Sequence, residues 1–274
     1  MKLNKNELEK ISNFIYKESG ISLDSEKLKR LQRKIESIFK KHNFENFSTF
    51  YHRLRFLKDE ELIEELINSI TINETYFWRE PKQFEILAKE ILPKFINTQK
   101  ELTHVRILVA PSSSGEELYS IMIAILEQNG LIEKLNIEMV GIDIDSSMIL
   151  KAKSGIYSKR SVSKLPTHLV EKYFKKINNF YQIDKNLVKV AKFLKANIFE
   201  ENLEYTLGKF DIIFSRNMLI YFDKNKKLLC FEQFYQLLKD DSYLFLGHAD
   251  ANHIDKTKFI PLKNAHHIYK KATL

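Results

Sequence analysis

The sequence predicts an α/β protein in which a small helical region precedes a mostly parallel sheet covered by helices on both faces. Three observations predict it. Apolar residues recur at three- to four-residue spacing through the first 95 positions, where strand signals are nearly absent. Beyond residue 102, short apolar runs alternate with amphipathic stretches, the pattern of a parallel sheet. The chain has 274 residues, 44% hydrophobic and 29% charged, enough to bury a sizeable core.

The elements follow in order. Leu28, Leu31, Ile35 and Ile38 make one apolar stripe, with Asp24 or Ser25 as its N-cap. Leu62, Leu66 and Ile70 mark a second helix behind the acids Asp59, Glu60 and Glu61. Phe84, Leu87, Ile91 and Leu92 mark a third, ending near Pro93, and the polar run 97–101 reads as a linker. A strand is then expected at 105–110, a helix at 116–128, a strand at 137–142 and a helix at 146–154. Buried strands are expected at 210–214 and 243–246, with a helix at 224–238 between them. These readings divide the chain into a helical part (1–80), a connecting helix and linker (81–101) and an α/β part (102–274).

Composition narrows the function. One cysteine, Cys230, excludes an internal disulfide framework and a cysteine-based zinc site. There is no run of 18 apolar residues and no apolar signal stretch after Met1, so a soluble, cytoplasmic protein is expected. The formal net charge of +8 is uneven: residues 27–41 carry a net +6 and residues 151–195 a net +10, leaving the remainder acidic. Such segments are either solvated faces or attract an acidic partner: nucleic acid, anionic lipid or an acidic protein surface.

The chemistry concentrates after the first strands. Ala110-Pro-Ser-Ser-Ser-Gly115 joins the first strand to a helix, and small residues there let a ligand approach the backbone closely. The second strand ends in Gly141-Ile-Asp143-Ile-Asp145, and an acid at that place commonly accepts hydrogen bonds from a ribose diol. One glycine in the loop is too few for the dinucleotide fingerprint. Glu116 and Glu117 at the helix start disfavour a pyrophosphate and suit a cationic nucleoside such as S-adenosyl-L-methionine, although acids there also suit the helix dipole alone.

These residues carry a resemblance. The run Thr71-Ile-Asn73-Glu74-Thr75-Tyr76-Phe77-Trp78-Arg79 resembles the signature that precedes the catalytic domain of the CheR family of chemotaxis receptor methyltransferases. So do Ser113-Ser-Gly115-Glu-Glu-Leu-Tyr-Ser120, Gly141-Ile-Asp143-Ile-Asp145 and Gly155-Ile-Tyr157. Phe214-Ser-Arg216-Asn217-Met-Leu-Ile-Tyr221-Phe-Asp223 and Leu246-Gly247-His248 complete the set, in the family's order and across nearly the whole chain. The departures are Ser114 for Thr, Leu118 for Pro, Trp78 for Phe, Ala249-Asp250 for Ser-Glu, and Pro111 in the loop.

The resemblance implies a class I, Rossmann-like S-adenosylmethionine-dependent methyltransferase domain behind a small all-α domain, with a small β-subdomain inserted. It implies transfer of a methyl group to glutamate side chains of methyl-accepting chemoreceptors. Asn73, Thr75 and Arg79 are then expected to line the pocket from the N-terminal side, with Glu117 at the methionine part of the donor. Asp143 is expected at the ribose, Asn197 and Ile198 beside the adenine, Arg216 and Asn217 at the donor, and Tyr221 facing the reacting methyl group. Arg79 and Tyr221 are the expected catalytic pair, and no metal is required. The insert is expected at 175–196, its turn at Asp184-Lys-Asn186; in some members it docks a receptor tail, a role not expected in so compact a stretch without glycine. The basic helix 27–41, with Lys27, Lys29, Arg30, Arg33, Lys34, Lys40 and Lys41 opposite its apolar arc, is expected to meet the acidic receptor bundle.

Two other readings compete. Net basic charge and many aromatics allow a nucleic-acid methyltransferase, but no base-methylating Asn/Asp-Pro-Pro-Tyr motif is present and the acidic cluster 59–65 adjoins the site segment. A catalytically silent module that binds S-adenosyl-L-methionine would not need the full set of donor-site residues.

Overall fold

The computed structural model describes all residues except Met1, Lys2, Ile72, 97–101, Asn264, His266 and Leu274. The expected linker at 97–101 lies outside the described residues, as does His266, which reads from the sequence as structural or exposed.

Four helices come first: α1 (Lys5–Ser19), α2 (Ser25–Lys41), α3 (Phe47–Arg55) and α4 (Glu60–Ile70). Each begins at an Asn or Asp whose side chain accepts a backbone N–H of the first turn: Asn4, Asp24, Asn46 and Asp59. Helix α1 has a full capping box from Asn4 and Glu7. The third expected helix is α5 (Pro81–Ile86), which widens into a π-turn at Leu87–Ile91 and tightens into a 3₁₀ turn at Leu92–Phe95. It ends near Pro93 as expected, two residues later at Phe95, because a proline in the first turn of the 3₁₀ segment removes no needed donor.

The α/β part runs β1 (Thr103–Val109), α6 (Glu116–Leu126), β2 (Leu135–Asp143), α7 (Ser146–Ser154), β3 (Ile156–Ser158), α8 (Lys159–Val162) and α9 (Thr167–Tyr173). It continues through β4 (Phe174–Ile177), β5 (Phe180–Ile183), α10 (Lys185–Val190), β6 (Ala191–Lys195), α11 (Leu203–Leu207) and β7 (Phe210–Ser215). It closes with α12 (Lys224–Leu237), β8 (Leu238–Leu246), β9 (Phe259–Pro261) and β10 (Ile268–Lys271). The seven-stranded sheet has the order β6-β2-β1-β7-β8-β10-β9. Strands β6, β2, β1, β7 and β8 are parallel neighbours, whereas β10 is antiparallel to both β8 and β9. That order and the single reversed strand are the class I methyltransferase topology.

The two faces of the sheet bury different partners. Leu108, Val140, Ile142, Ile213 and Leu244 join one apolar cluster with Ile11, Leu31, Ile35, Phe50 and Leu62 of the helical part. Ile107, Val109, Met139, Ile212 and Phe214 join another with Phe84, Leu87, Tyr119 and Ile123 on the opposite face. The N-terminal helices are thus built onto the sheet through a shared core.

The insert differs from expectation. A three-stranded antiparallel sheet, β3-β5-β4, uses 156–158 and 174–183, so the expected range 175–196 overlaps it only in part. Its tight turn is Asn178-Asn179, with Asn178 at φ 52°, a conformation asparagine adopts more readily than most residues. Asp184 instead caps α10 by accepting the Asn186 N–H at 2.8 Å. Strand β6 belongs to the large sheet, paired in parallel with β2 from Ala191↔Met139 to Lys195↔Asp143. As an edge strand it buries only Phe193, so its sequence resembles an exposed hairpin.

Candidate active site

The C-terminal ends of β1, β2 and β7 open under one cleft, roofed by the start of α2 and the segment after α4. This is the place where open α/β sheets bind ligands. All ten sequence-expected residues line it: Asn73, Thr75, Arg79, Glu117, Asp143, Asn197, Ile198, Arg216, Asn217 and Tyr221.

The strand ends set the floor. Gly115 has φ 92°, and a side chain there would press on Ala152, Tyr119 and Phe193, so glycine makes the turn into α6. Beyond it the two adjacent glutamates part. Glu116 accepts the Ser114 hydroxyl at 2.7 Å inside the fold, whereas Glu117 faces the cleft. Burial raises the Glu117 carboxyl above its ordinary range, opposed by the Arg216 charge 3.6 Å away. Asp143 is 5% exposed at the end of β2 and accepts the N–H of Ser113 at 2.8 Å and of Asp145 at 2.9 Å. Burial pushes its carboxyl up to about 6, against the pull of those two amides.

The rim comes from the stretch between the two halves. Phe77 is fully buried edge-on to Tyr157 and Phe174, and its N–H donates to the Ser161 carbonyl. The Trp78 N–H donates to the Ser120 hydroxyl at 3.0 Å. With this stretch anchored, Arg79 reaches the cleft, its guanidinium 5.5 Å from the centre of the Tyr76 ring. Trp78 (φ 64°) and Glu80 (φ 54°) flank it in the left-handed region, as do Ser113 (φ 44°) and Asn217 (φ 60°) on the cleft wall. Such strain collects at functional sites, where the surrounding structure enforces it.

Several sequence expectations acquire different neighbours. The Asn73 amide donates to Asp145 at 2.7 Å, beside Thr71, whose hydroxyl donates to the same oxygen. Asn197 turns its amide to the Glu18 carbonyl at 2.6 Å, while Ile198 is buried beside it. Arg216 is wholly buried, donates through Nη2 to the Arg79 carbonyl, and leaves Nε and Nη1 without a hydrogen bond. Lys27, expected on the outward basic face, lines the cleft instead. It sits one turn before buried Leu31, about 40° from it and about 20° from Ile38 at the edge of the apolar arc, at 100° per residue.

Two contributors escaped the sequence reading. Asp145 ties Thr71 and Asn73 to β2; it was visible in the motif but had no assigned task. Asp250, fully buried, accepts the Asn217 N–H and faces the amides of Leu219 and Ile220, so it holds the turn that carries Tyr221. Burial pushes Asp250 up to about 6, partly offset by those amides. The sequence signal was Gly247-His248-Ala249-Asp250, where an acid stands one methylene shorter than the usual Glu. His248 is exposed and hydrogen-bonds His267 at 3.0 Å, away from these groups.

The donor set fits S-adenosyl-L-methionine. Glu117 Oε1, Arg216 Nη1 and the hydroxyls of Ser112 and Ser113 are buried at the cleft without hydrogen-bond partners. Buried polar groups in native proteins rarely stay unpaired, so an acceptor, a cation and hydroxyls left open together describe a zwitterionic, hydroxylated ligand. Sheet order and cleft together define a class I S-adenosylmethionine-dependent methyltransferase.

Comparison with known proteins identifies the family. The profile described as CheR methyltransferase, SAM binding domain, matches residues 73–268, and that described as CheR methyltransferase, all-alpha domain, matches residues 6–71. The chain is 40% identical over 245 residues to the chemotaxis protein methyltransferase of Campylobacter jejuni subsp. jejuni serotype O:23/36, covering 89% of this chain and 88% of that one. It is 36% identical to chemotaxis protein methyltransferase 2 of Vibrio cholerae serotype O1, covering 87% and 83%, and 32% identical to the Borreliella burgdorferi enzyme, covering 91% and 89%. The chain belongs to the CheR methyltransferase family.

Proposed function

We propose that this protein methylates glutamate side chains of chemoreceptors, forming glutamyl methyl esters in the cytoplasm. The observation that carries the reading is the convergence of a buried donor floor and a partly exposed cationic rim on one cleft. In this reading residues 1–80 present the acceptor, residues 81–101 connect, and 102–274 hold the donor. Glu117 takes the ammonium of the methionine part, Arg216 its carboxylate and Asp143 the ribose hydroxyls, with Ile198 packing beside the adenine. The donor supplies a methyl group on a sulfonium: the acceptor oxygen–carbon bond forms as the carbon–sulfur bond breaks, and the electron pair stays on sulfur.

No proton need move, because a glutamate of ordinary pKa near 4.3 is already ionised at neutral pH. The residues therefore act by position. Arg79 aims the carboxylate, and Tyr221 orients the reacting groups from a half-buried site. Burial raises the Tyr221 hydroxyl above its ordinary range, with the Arg79 charge opposing that rise, so the hydroxyl stays protonated and able to donate.

Lys29, Arg30, Arg33, Lys34 and Lys40 of α2 are exposed, and none is ion-paired among the described residues. A free cationic face suits an acidic helical bundle, speeding encounter more than deepening affinity. No helix among the described residues is long and apolar enough to cross a membrane. The test is transfer of a labelled methyl group from S-adenosyl-L-methionine to a chemoreceptor cytoplasmic fragment. The expected product releases labelled methanol in mild base. Base-stable label, or label appearing only in added nucleic acid, would overturn the reading.

A further inference from the structure

Lys27 stands where the basic helix meets the cleft. Its Nζ lies 5.6 Å from the centre of the Tyr221 ring, and its side chain is 28% exposed. Its other partners are weak: Asp24 Oδ2 at 3.6 Å, on a side chain 61% exposed, and the Ser22 carbonyl at 3.5 Å. An exposed pair of that kind contributes little and exchanges readily.

The start of α2 is fixed to the Tyr221 turn from behind. Gly20, at φ 75°, lies against Phe199, closer than a side chain would permit. Ile21 bridges Phe222, and the Ser22 N–H donates to the Tyr221 carbonyl at 3.0 Å. The Tyr16 hydroxyl donates to Asp223 at 2.7 Å. Lys27 and Tyr221 therefore keep one geometry although they are far apart in sequence. Arg79 lines the same cleft from the interdomain stretch, close enough for its charge to act on the Tyr221 hydroxyl.

We propose that Lys27 is a substrate-holding residue which, with Arg79, grips the carboxylate of the incoming acidic side chain around Tyr221. This rests on the reading of the acceptor as glutamate. The pairing has a physical reason. A guanidinium fork engages both carboxylate oxygens in one plane, whereas an ammonium is a compact point charge with freely rotating donors. An ammonium on one oxygen steadies the group while the other keeps a lone pair for the methyl carbon. Entry into the cleft strips water from the carboxylate, and a nearby cation with a dispensable partner offsets that cost.

The proposal separates Lys27 from the outward charges of α2. Those charges act on encounter and fade with salt, whereas Lys27 acts inside the cleft. The experiment uses the full chain, a chemoreceptor cytoplasmic fragment and saturating labelled donor. Lys27→Met is expected to lower kcat/KM for the receptor roughly tenfold or more, with a loss in kcat that persists at high salt. Lys27→Arg should recover only part of the loss, since the charge returns but a fork does not reproduce the ammonium's single contact. Donor affinity by calorimetry and the melting temperature should not change. Asp24→Asn keeps the helix cap and removes the ion pair, so it should methylate like the parent. Parent-like turnover in Lys27→Met overturns the assignment, as does a donor-affinity loss that accounts for the defect. A defect of equal size in Asp24→Asn makes Lys27 a structural partner and overturns it too. If the parent itself puts no base-labile methyl on the receptor, the acceptor reading fails, and this assignment fails with it.

Discussion

The two sides of the cleft are built on opposite principles. The side proposed to hold the donor stands on strand ends, where Asp143 and Arg216 are almost fully buried and Glu117 nearly so, each held by backbone amides or an ion pair. The side proposed to meet the acceptor stands on a loop and a helix start, where Arg79 and Lys27 are partly exposed and loosely partnered. A small ligand can be wholly desolvated, so its site gains from rigid, buried hydrogen bonds that are costly to leave unmade. A protein acceptor brings only one side chain into the cleft, so its site gains from reachable charge on a fixed frame. Substitutions should separate the two sides by which measurement they move.

The largest effect is expected from Arg79→Ala. Turnover on receptor should fall on the order of hundredfold through lost positioning, with donor affinity and melting temperature retained. Turnover within about threefold of the parent, under 1 kcal/mol of barrier, would remove Arg79 from the acceptor side. Next comes Asp143→Ala, which should weaken donor binding by about 1–3 kcal/mol, because hydroxyls and amides lose a buried acceptor. Calorimetry that finds unchanged donor affinity would break the ribose assignment.

A smaller effect is expected from pH. The Asp143 carboxyl, pushed up to about 6 in the fold from 3.8, holds its proton more tightly there than in the unfolded chain. Its contribution to stability is therefore present at low pH and is lost as pH rises through about 6. Donor binding runs the other way, since the ionised carboxylate is the better acceptor: affinity should fall as pH is lowered through about 6. Calorimetry across that range should show a slope in the parent and a weak, flat response in Asp143→Asn. A parent-like slope in Asp143→Asn would assign the titration to Asp250, which burial raises to the same region. The smallest effect is expected from Arg30→Glu with Lys34→Glu. Receptor methylation should slow a few-fold at low ionic strength and recover as salt shortens the screening length to about 8 Å. Equal rates at low salt would make the outward face of α2 a solvated surface and nothing more.

The sequence by itself determined what local chemistry dictates. Periodicity located α2, α4 and α6, and apolar runs located the buried strands β1, β2, β7 and β8, because a helix facing a core and a strand buried on both faces leave strong apolar patterns; α7 and α12 followed from the strand–helix alternation. The family resemblance implied ten cleft residues, and all ten line the cleft, from strand ends, the first turn of α6 and the stretch joining the two halves. Tertiary structure decided the rest. Strand β6 joined the large sheet because its partner, β2, lies outside its own segment, and no local pattern reports a parallel neighbour about fifty residues away. The inserted sheet drew β3 from one side of two helices and its hairpin from the other, a pairing fixed only by packing. Lys27 lies only a few tens of degrees from the apolar side of its helix, and contacts across the fold set it beside Tyr221. Asp145 and Asp250 gained their tasks from amides and side chains that approach them across the fold. Composition and spacing record which side a residue faces on its own element; which groups meet it there depends on contacts between elements.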